Sequence, residues 1–221
     1  NSDTDGDGFS NYEEVLLGTD PDDGSVAPSA VDLQVALYML SLGVDDGDKV
    51  ALDDDADGDG VSNYVEILLI TDPSDGSIAP TTADSFVAQR MIDLGVVDPS
   101  LVSASDDADG DGVSNIAEIL LNTNPSNTND EPTASGSSSI DGTDFVFEFV
   151  RLKSSLTPIG ASVVVECADE TFTFVPVSAV DLQTNLSLSA DQTGINSDYE
   201  RVEYRVDTSS IGCSFFRLSA Q

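Results

Sequence analysis

Apolar residues recur at spacings of three and four in three short stretches: Tyr12, Val15 and Leu16; Tyr64, Ile67 and Leu68; Ile116, Ile119 and Leu120. That spacing gives each stretch one apolar face on a short helix. Gly18, Ile70 and Asn122 come next, followed by Thr-Asp-Pro, Thr-Asp-Pro and Thr-Asn-Pro. A helix is expected to stop at each, although Ile70 departs from the glycine or asparagine that such a stop favours. A second helix is expected after the first two, with Ser29 to Asp32 and Thr81 to Asp84 as N-terminal caps. Its shared positions Val35/Val87, Ala36/Ala88, Met39/Met91, Leu40/Ile92 and Leu42/Leu94 fall on one face, and Gly43 and Gly95 end it. These stripes are expected to pack helix on helix.

Past residue 143 the period changes from 3.6 to 2. Phe145, Phe147 and Phe149 alternate with Val146, Glu148 and Val150, and Val163, Val165 and Cys167 with Ser162, Val164 and Glu166. Val202, Tyr204 and Val206 alternate with charged residues, and Thr171–Val177, Leu182–Ser189 and Ser214–Ser219 are further strand candidates. Six or so short strands in this length predict an antiparallel β-sandwich. Residues 124–144 have the composition of a linker.

Each of the three loop-following helices is preceded by one acidic twelve-residue loop, at an unvarying spacing of 52 residues. The copies are DTDGDGFSNYEE (3–14), DADGDGVSNYVE (55–66) and DADGDGVSNIAE (107–118). Carboxylates stand at loop positions 1, 3 and 5, glycine at 6, asparagine at 9 and glutamate at 12. That is the ligand spacing of an EF-hand calcium loop. Calcium takes six to eight oxygens, and this stretch supplies them around one point. The residue at position 7 contributes a backbone carbonyl, so its side chain is free to be apolar. The candidate ligands are Asp3, Asp5, Asp7, Phe9, Asn11 and Glu14; Asp55, Asp57, Asp59, Val61, Asn63 and Glu66; and Asp107, Asp109, Asp111, Val113, Asn115 and Glu118. About three Ca2+ ions are expected. The fold class is then α + β and multidomain: an all-α array of three EF-hand-like calcium loops with short helices over 1–125, a linker at 126–142, and a β-sandwich over 143–221.

Charge sharpens this picture. The formal net charge is −35, with no histidine or tryptophan. Residues 1–139 hold 30 acids and two bases (net −28), and residues 140–221 the remaining 12 acids and five bases (net −7). Such a surface repels nucleic acid and anionic lipid, so neither is an expected partner. No apolar run approaches the roughly 20 residues of a membrane-spanning helix. With neither an initiator methionine nor a signal peptide, the chain is expected to be a mature or excised product. Catalysis is not expected: histidine is missing, and neither a nucleophile pair, a phosphate loop nor a zinc ligand set occurs. Cys167 and Cys213 are the only cysteines. In an extracellular β-domain they are expected to form a disulfide, the alternative being two buried thiols.

The loop motif, followed by Leu-Leu-x-Thr-Asp-Pro, resembles the calcium repeats of bacterial secreted and surface proteins, described as thrombospondin type 3-like or EF-hand/dockerin-like. The resemblance covers residues 3–24, 55–76 and 107–125. It implies that the ligand sets named above bind metal and that the protein is extracellular, secreted or on the cell surface. Loops so loosely enclosed suit millimolar extracellular calcium. Two functions fit. One is a calcium-stabilised structural protein: a self-assembling surface or filament subunit, or an adhesin. The other is an accessory module, dockerin-like or carbohydrate-associated, of a secreted polysaccharide-degrading system. The expected partner is a further copy, head to tail, because the odd number of loops leaves the Tyr12, Val15 and Leu16 face unpaired; an extracellular matrix or surface partner is also open. Asp20, Asp22 and Asp23, or Asp45, Asp46 and Asp48, are either further calcium ligands or solvated turns. Lys153 is either a cross-linking or a plain surface lysine.

Overall fold

The computed structural model describes residues 2–130, 139–141, 144–168, 175–176, 186–207 and 215–220. Its helices are α1 (Asn11–Leu17), α2 (Ala30–Ser41), α3 (Asn63–Leu68), α4 (Thr82–Asp93) and α5 (Asn115–Leu120), with a 3₁₀ turn at Gly47–Lys49. The three that follow the acidic loops are only six or seven residues long. Helices this short do not persist alone in water, so they depend on what they pack against. The apolar face is buried throughout on α5 (Ile116, Ile119 and Leu120), whereas on α1 only Leu16 is buried and Tyr12 and Val15 stand exposed; Leu68 of α3 is buried.

The caps on the longer helices fall where the sequence places them. The Ser29 hydroxyl accepts the Asp32 N–H at 3.0 Å and the Thr81 hydroxyl the Asp84 N–H at 3.1 Å. The stops also hold. Gly18 turns left-handed at φ 73°, and so do Ile70 (φ 59°) and Asn122 (φ 62°). Ile70 therefore takes a backbone conformation that a β-branched residue disfavours, and its side chain stands 83% exposed.

The EF-hand arrangement does not appear among the described residues. An EF-hand loop is entered from a helix, but α2 ends at Ser41, well ahead of Asp55, with only the 3₁₀ turn between them. Each loop is followed by a helix, and the second and third are preceded by an irregular connector. Sequence spacing alone fixes the loop and leaves its entrance open.

The chain forms two compact units. One comprises Asn1–Gln89 with Val97–Pro99, the other Arg90–Val96 with Ser100–Gln221. In the first, a core of Leu16, Val35, Ala36, Met39 and Val50 joins α1, α2 and the connector, with Leu52, Tyr64 and Ile67 packed against it.

The second unit contains two antiparallel sheets. One has the order β1 (Ser139–Asp141), β2 (Asp144–Leu152), β6 (Tyr199–Asp207), β5 (Leu186–Leu188); the other β4 (Val175–Pro176), β3 (Val163–Ala168), β7 (Phe215–Ala220). Phe149 pairs with Val202 and Val165 with Leu218 in register. Both sheets feed one core of Phe149, Val165, Val202 and Tyr204, to which Leu121, just past α5, also belongs. The Tyr199 hydroxyl donates to the Ile119 carbonyl at 2.9 Å, and Arg90 pairs with Asp198 at 3.2 Å. Contacts within this unit thus run across the composition change at 126–142. Of the strand candidates, most of Thr171–Val177 and the first part of Leu182–Ser189 lie outside the described residues, as does Cys213.

Candidate metal centres

The three acidic loops are built alike from their own backbone. Glycines at loop positions 4 and 6 are left-handed in every copy, for example Gly58 (φ 83°) and Gly60 (φ 96°). This winds the chain tightly enough for the first aspartate to receive two amides. Asp55 takes Gly58 N–H at 2.7 Å and Gly60 N–H at 3.0 Å; Asp107 takes Gly110 and Gly112 at 2.8 and 2.9 Å; Asp3 takes Gly6 and Gly8 at 2.7 and 3.3 Å. The third- and fifth-position aspartates each spend one oxygen on the amide two residues on, as Asp57 does with Asp59 and Asp59 with Val61.

Their other oxygens are left over. Oδ2 of Asp5, Asp7, Asp57, Asp59, Asp109 and Asp111 is buried with no hydrogen-bond partner. The closing glutamates Glu14, Glu66 and Glu118 are 0% exposed and likewise carry unpartnered oxygens. In each loop one carboxylate oxygen from each of the three aspartates lies within 4.8 Å of the others. Buried carboxylates without donors are costly, and a divalent cation is the group that satisfies several at once. The donor set is all oxygen, which suits calcium.

The electrostatics agree. Burial, then the neighbouring Asp57 and Asp59, push the Glu66 carboxyl up to about 7, and burial with Asp109 and Asp111 does the same to Glu118. Glu14 is raised by the same causes, burial first. Thr71 and Thr123 orient the glutamates, each donating from its hydroxyl to the Oε1 at 3.2 and 3.3 Å. At the first loop Thr19 reaches only the Glu14 backbone carbonyl, at 3.4 Å, and both Glu14 oxygens stay unpartnered.

The asparagines at position 9 do other work than expected. Asn63 accepts the Ala56 N–H at 3.1 Å on its oxygen and donates both amide hydrogens, to the Lys49 and Ala51 carbonyls at 3.0 and 2.9 Å. Asn115 does the same with Ala108, Leu101 and Ser103. They tie the loop to its incoming connector. Phe9, Val61 and Val113 sit half-buried in the bend before the serine that caps each helix.

Sequence reasoning also missed a return arm. After α1 the Thr-Asp-Pro segment folds back over the loop. A Cβ on Gly24 would lie 3.3 Å from the Asp7 Cβ, and one on Gly76 3.5 Å from the Asp57 carboxyl carbon. Asp20, Asp23, Asp72 and Asp75 hold the arm's turns by accepting amides two residues on. In the third copy Asn124 and Asn127 make the same turns without charge. The carboxylates are therefore not needed for the turn itself. Asp46 caps the 3₁₀ turn, while Asp54 and Asp106 accept amides of the connector. Lys153 donates to the Ser197 carbonyl at 2.5 Å.

Three stretches of the chain match one family model. Residues 3–23, 55–76 and 107–128 match the bacterial TSP3 repeat. It is a thrombospondin type 3-like calcium-binding repeat, and the aspartate triplets fit its calcium-binding loops. The matched stretches run past the acidic loop and helix into the return arm, so the TSP3 repeat and the structural unit coincide. Neither a curated protein nor a solved structure matches the chain. Among the described residues no helix is long and apolar enough to cross a membrane.

Proposed function

We propose that the protein is a non-enzymatic, calcium-stabilised structural protein of the bacterial cell exterior, in which TSP3 repeats stiffened by calcium carry a pair of β-sheets. The observation that supports this reading most is the set of buried carboxylate oxygens without donors, repeated in all three loops. Asp3, Asp5, Asp7 and Glu14, with their counterparts 52 and 104 residues on, would hold the ions. The cation would supply the positive charge that this side of the chain lacks. Titration calorimetry should find three sites that prefer calcium to magnesium, since the loop offers a roomy all-oxygen shell and not a compact octahedron. Fewer than three sites, or equal heats for magnesium, would count against it.

Cys167 is buried on β3. A bridge to Cys213 would close a loop of about 46 residues and stabilise the sheets by about 3–4 kcal/mol. Intact mass after alkylation without reductant should show no label; two labelled thiols would refute the bridge.

Self-assembly is a second reading, favoured by the exposure of Tyr12 (57%) and Val15 (66%) on α1. Light scattering at high concentration in millimolar calcium should then report species larger than the monomer, and a single monomeric mass would end this reading.

A further inference from the structure

Ile70 is held in a conformation that its residue type disfavours. Its φ of 59° makes the left-handed stop that Gly18 and Asn122 make in the other two copies, residue types that adopt it more readily. Burial gives nothing back, because the side chain is 83% exposed. A strained apolar residue that faces solvent points to a role outside the fold that carries it. The residue is also firmly placed. Thr71, next in the chain, donates its N–H to the Glu66 carbonyl at 2.9 Å and its hydroxyl to Glu66 Oε1 at 3.2 Å. The stop is thereby fastened to the second acidic loop, and Asp72 and Asp75 follow closely after it.

The second unit carries a surface that complements this one. The connection from β2 to β3 lines an open cleft of about 440 Å³, with Leu152, Pro158, Ile159, Ala161 and Val163 among its walls. Ile159 is 86% exposed, and Leu156 on the same connection is 41% exposed. Residues 151–162 contain Arg151 and Lys153 and no acid, in a chain of 42 acids and seven bases. Arg151 is committed to Glu200 at 2.8 Å, whereas Lys153 donates to the uncharged Ser197 carbonyl. An apolar cleft is thus flanked by a cation, and an apolar knob is flanked by two aspartates.

Taking up the self-assembly reading above, we propose that Ile70 of one copy seats in this cleft of a second copy, with Asp72 and Asp75 beside Lys153. Two return arms facing each other would set aspartates against aspartates, so charge selects the cleft as the partner surface. The two surfaces differ, and each copy carries both. The contact is therefore heterologous and propagates into a ring or a filament.

Sedimentation velocity of the full chain, at high concentration in millimolar calcium, tests the pairing with two exposed-site variants. Glycine relieves the left-handed strain, so Ile70→Gly should melt no lower than the parent and yet associate more weakly, by about tenfold or more. Ile159→Asp, on the opposite surface, should lose association to the same extent. An equimolar mixture of the two variants should form dimers, because each retains the surface that the other lacks, and the series should stop there. A parent chain that stays monomeric overturns the proposal together with self-assembly. A parent that associates while Ile70→Gly associates equally well, or a mixture of the variants that stays monomeric, overturns this pairing alone and leaves self-assembly standing.

Discussion

Removing calcium should lower the thermal midpoint of this protein by tens of degrees, or melt Asn1–Gln89 outright. The expectation follows from what the loops lack without metal. Each encloses four carboxylates, several with buried oxygens that no donor reaches, and the helices they lead into are too short to stand alone. A ligand at a hundred times its dissociation constant adds about 2.7 kcal/mol per site. The two loops of the first unit then supply about 5 kcal/mol, comparable to the whole stability of a marginal domain, roughly 5–15 kcal/mol. The sheets have a separate apolar core and should outlast the first unit. Circular dichroism during chelator titration should therefore lose helix before strand, and magnesium should not restore it. Coincident melting curves in calcium and in chelator would remove the central claim.

The second large effect is a reversal of pH dependence. Without metal, Glu66 and Glu118 are raised to about 7 from an ordinary 4.5, and Glu14 is raised as well. A carboxyl held above its unfolded value binds protons more tightly in the folded state. Its contribution is thus fully present below about pH 4.5 and is lost as pH rises through about 7. In chelator, the midpoint should climb on acidification from pH 7.5 to 5. In saturating calcium the same groups must be ionised to bind metal, protons compete, and the midpoint should fall over that range. Glu66→Gln should remove its share of the slope in chelator while costing one calcium site. Parallel curves in the two buffers would show that these glutamates do not face the metal position.

The acidic loops were legible because the same residues recur three times in register, which a single copy would not have established. The helices after them were legible for the same reason, and the caps Ser29 and Thr81 from local chemistry alone. Other features depended on tertiary context. Nothing local tells that Asn63 spends its amide on the Lys49 and Ala51 carbonyls, since an asparagine at that loop position suits a ligand equally well. The return arm looked like a helix stop, and the closeness of Gly24 to Asp5 and Asp7 appears only once the arm is folded. Leu121 sits in the core shared by the two sheets, yet in sequence it is one more apolar residue near a helix end. Ile70 shows the opposite case, in which a position that breaks the rule for a left-handed stop adopts that conformation regardless.

The grip of Asn63 on its connector also bears on how the chain responds to pulling. Residues 42–54, irregular apart from the 3₁₀ turn, link α2 to the second loop, and their last stretch is fastened to that loop by the two amide bonds, by Tyr64 N–H on the Leu52 carbonyl and by Asn63 N–H on the Asp54 carbonyl. Tension along the backbone would have to shear these bonds together before the segment gave up its slack, about 40 Å at full extension. The clasp is anchored in the loop that would wrap the ion. Calcium concentration would then set the force at which each repeat lengthens, making the array a tether whose compliance is tuned by its surroundings.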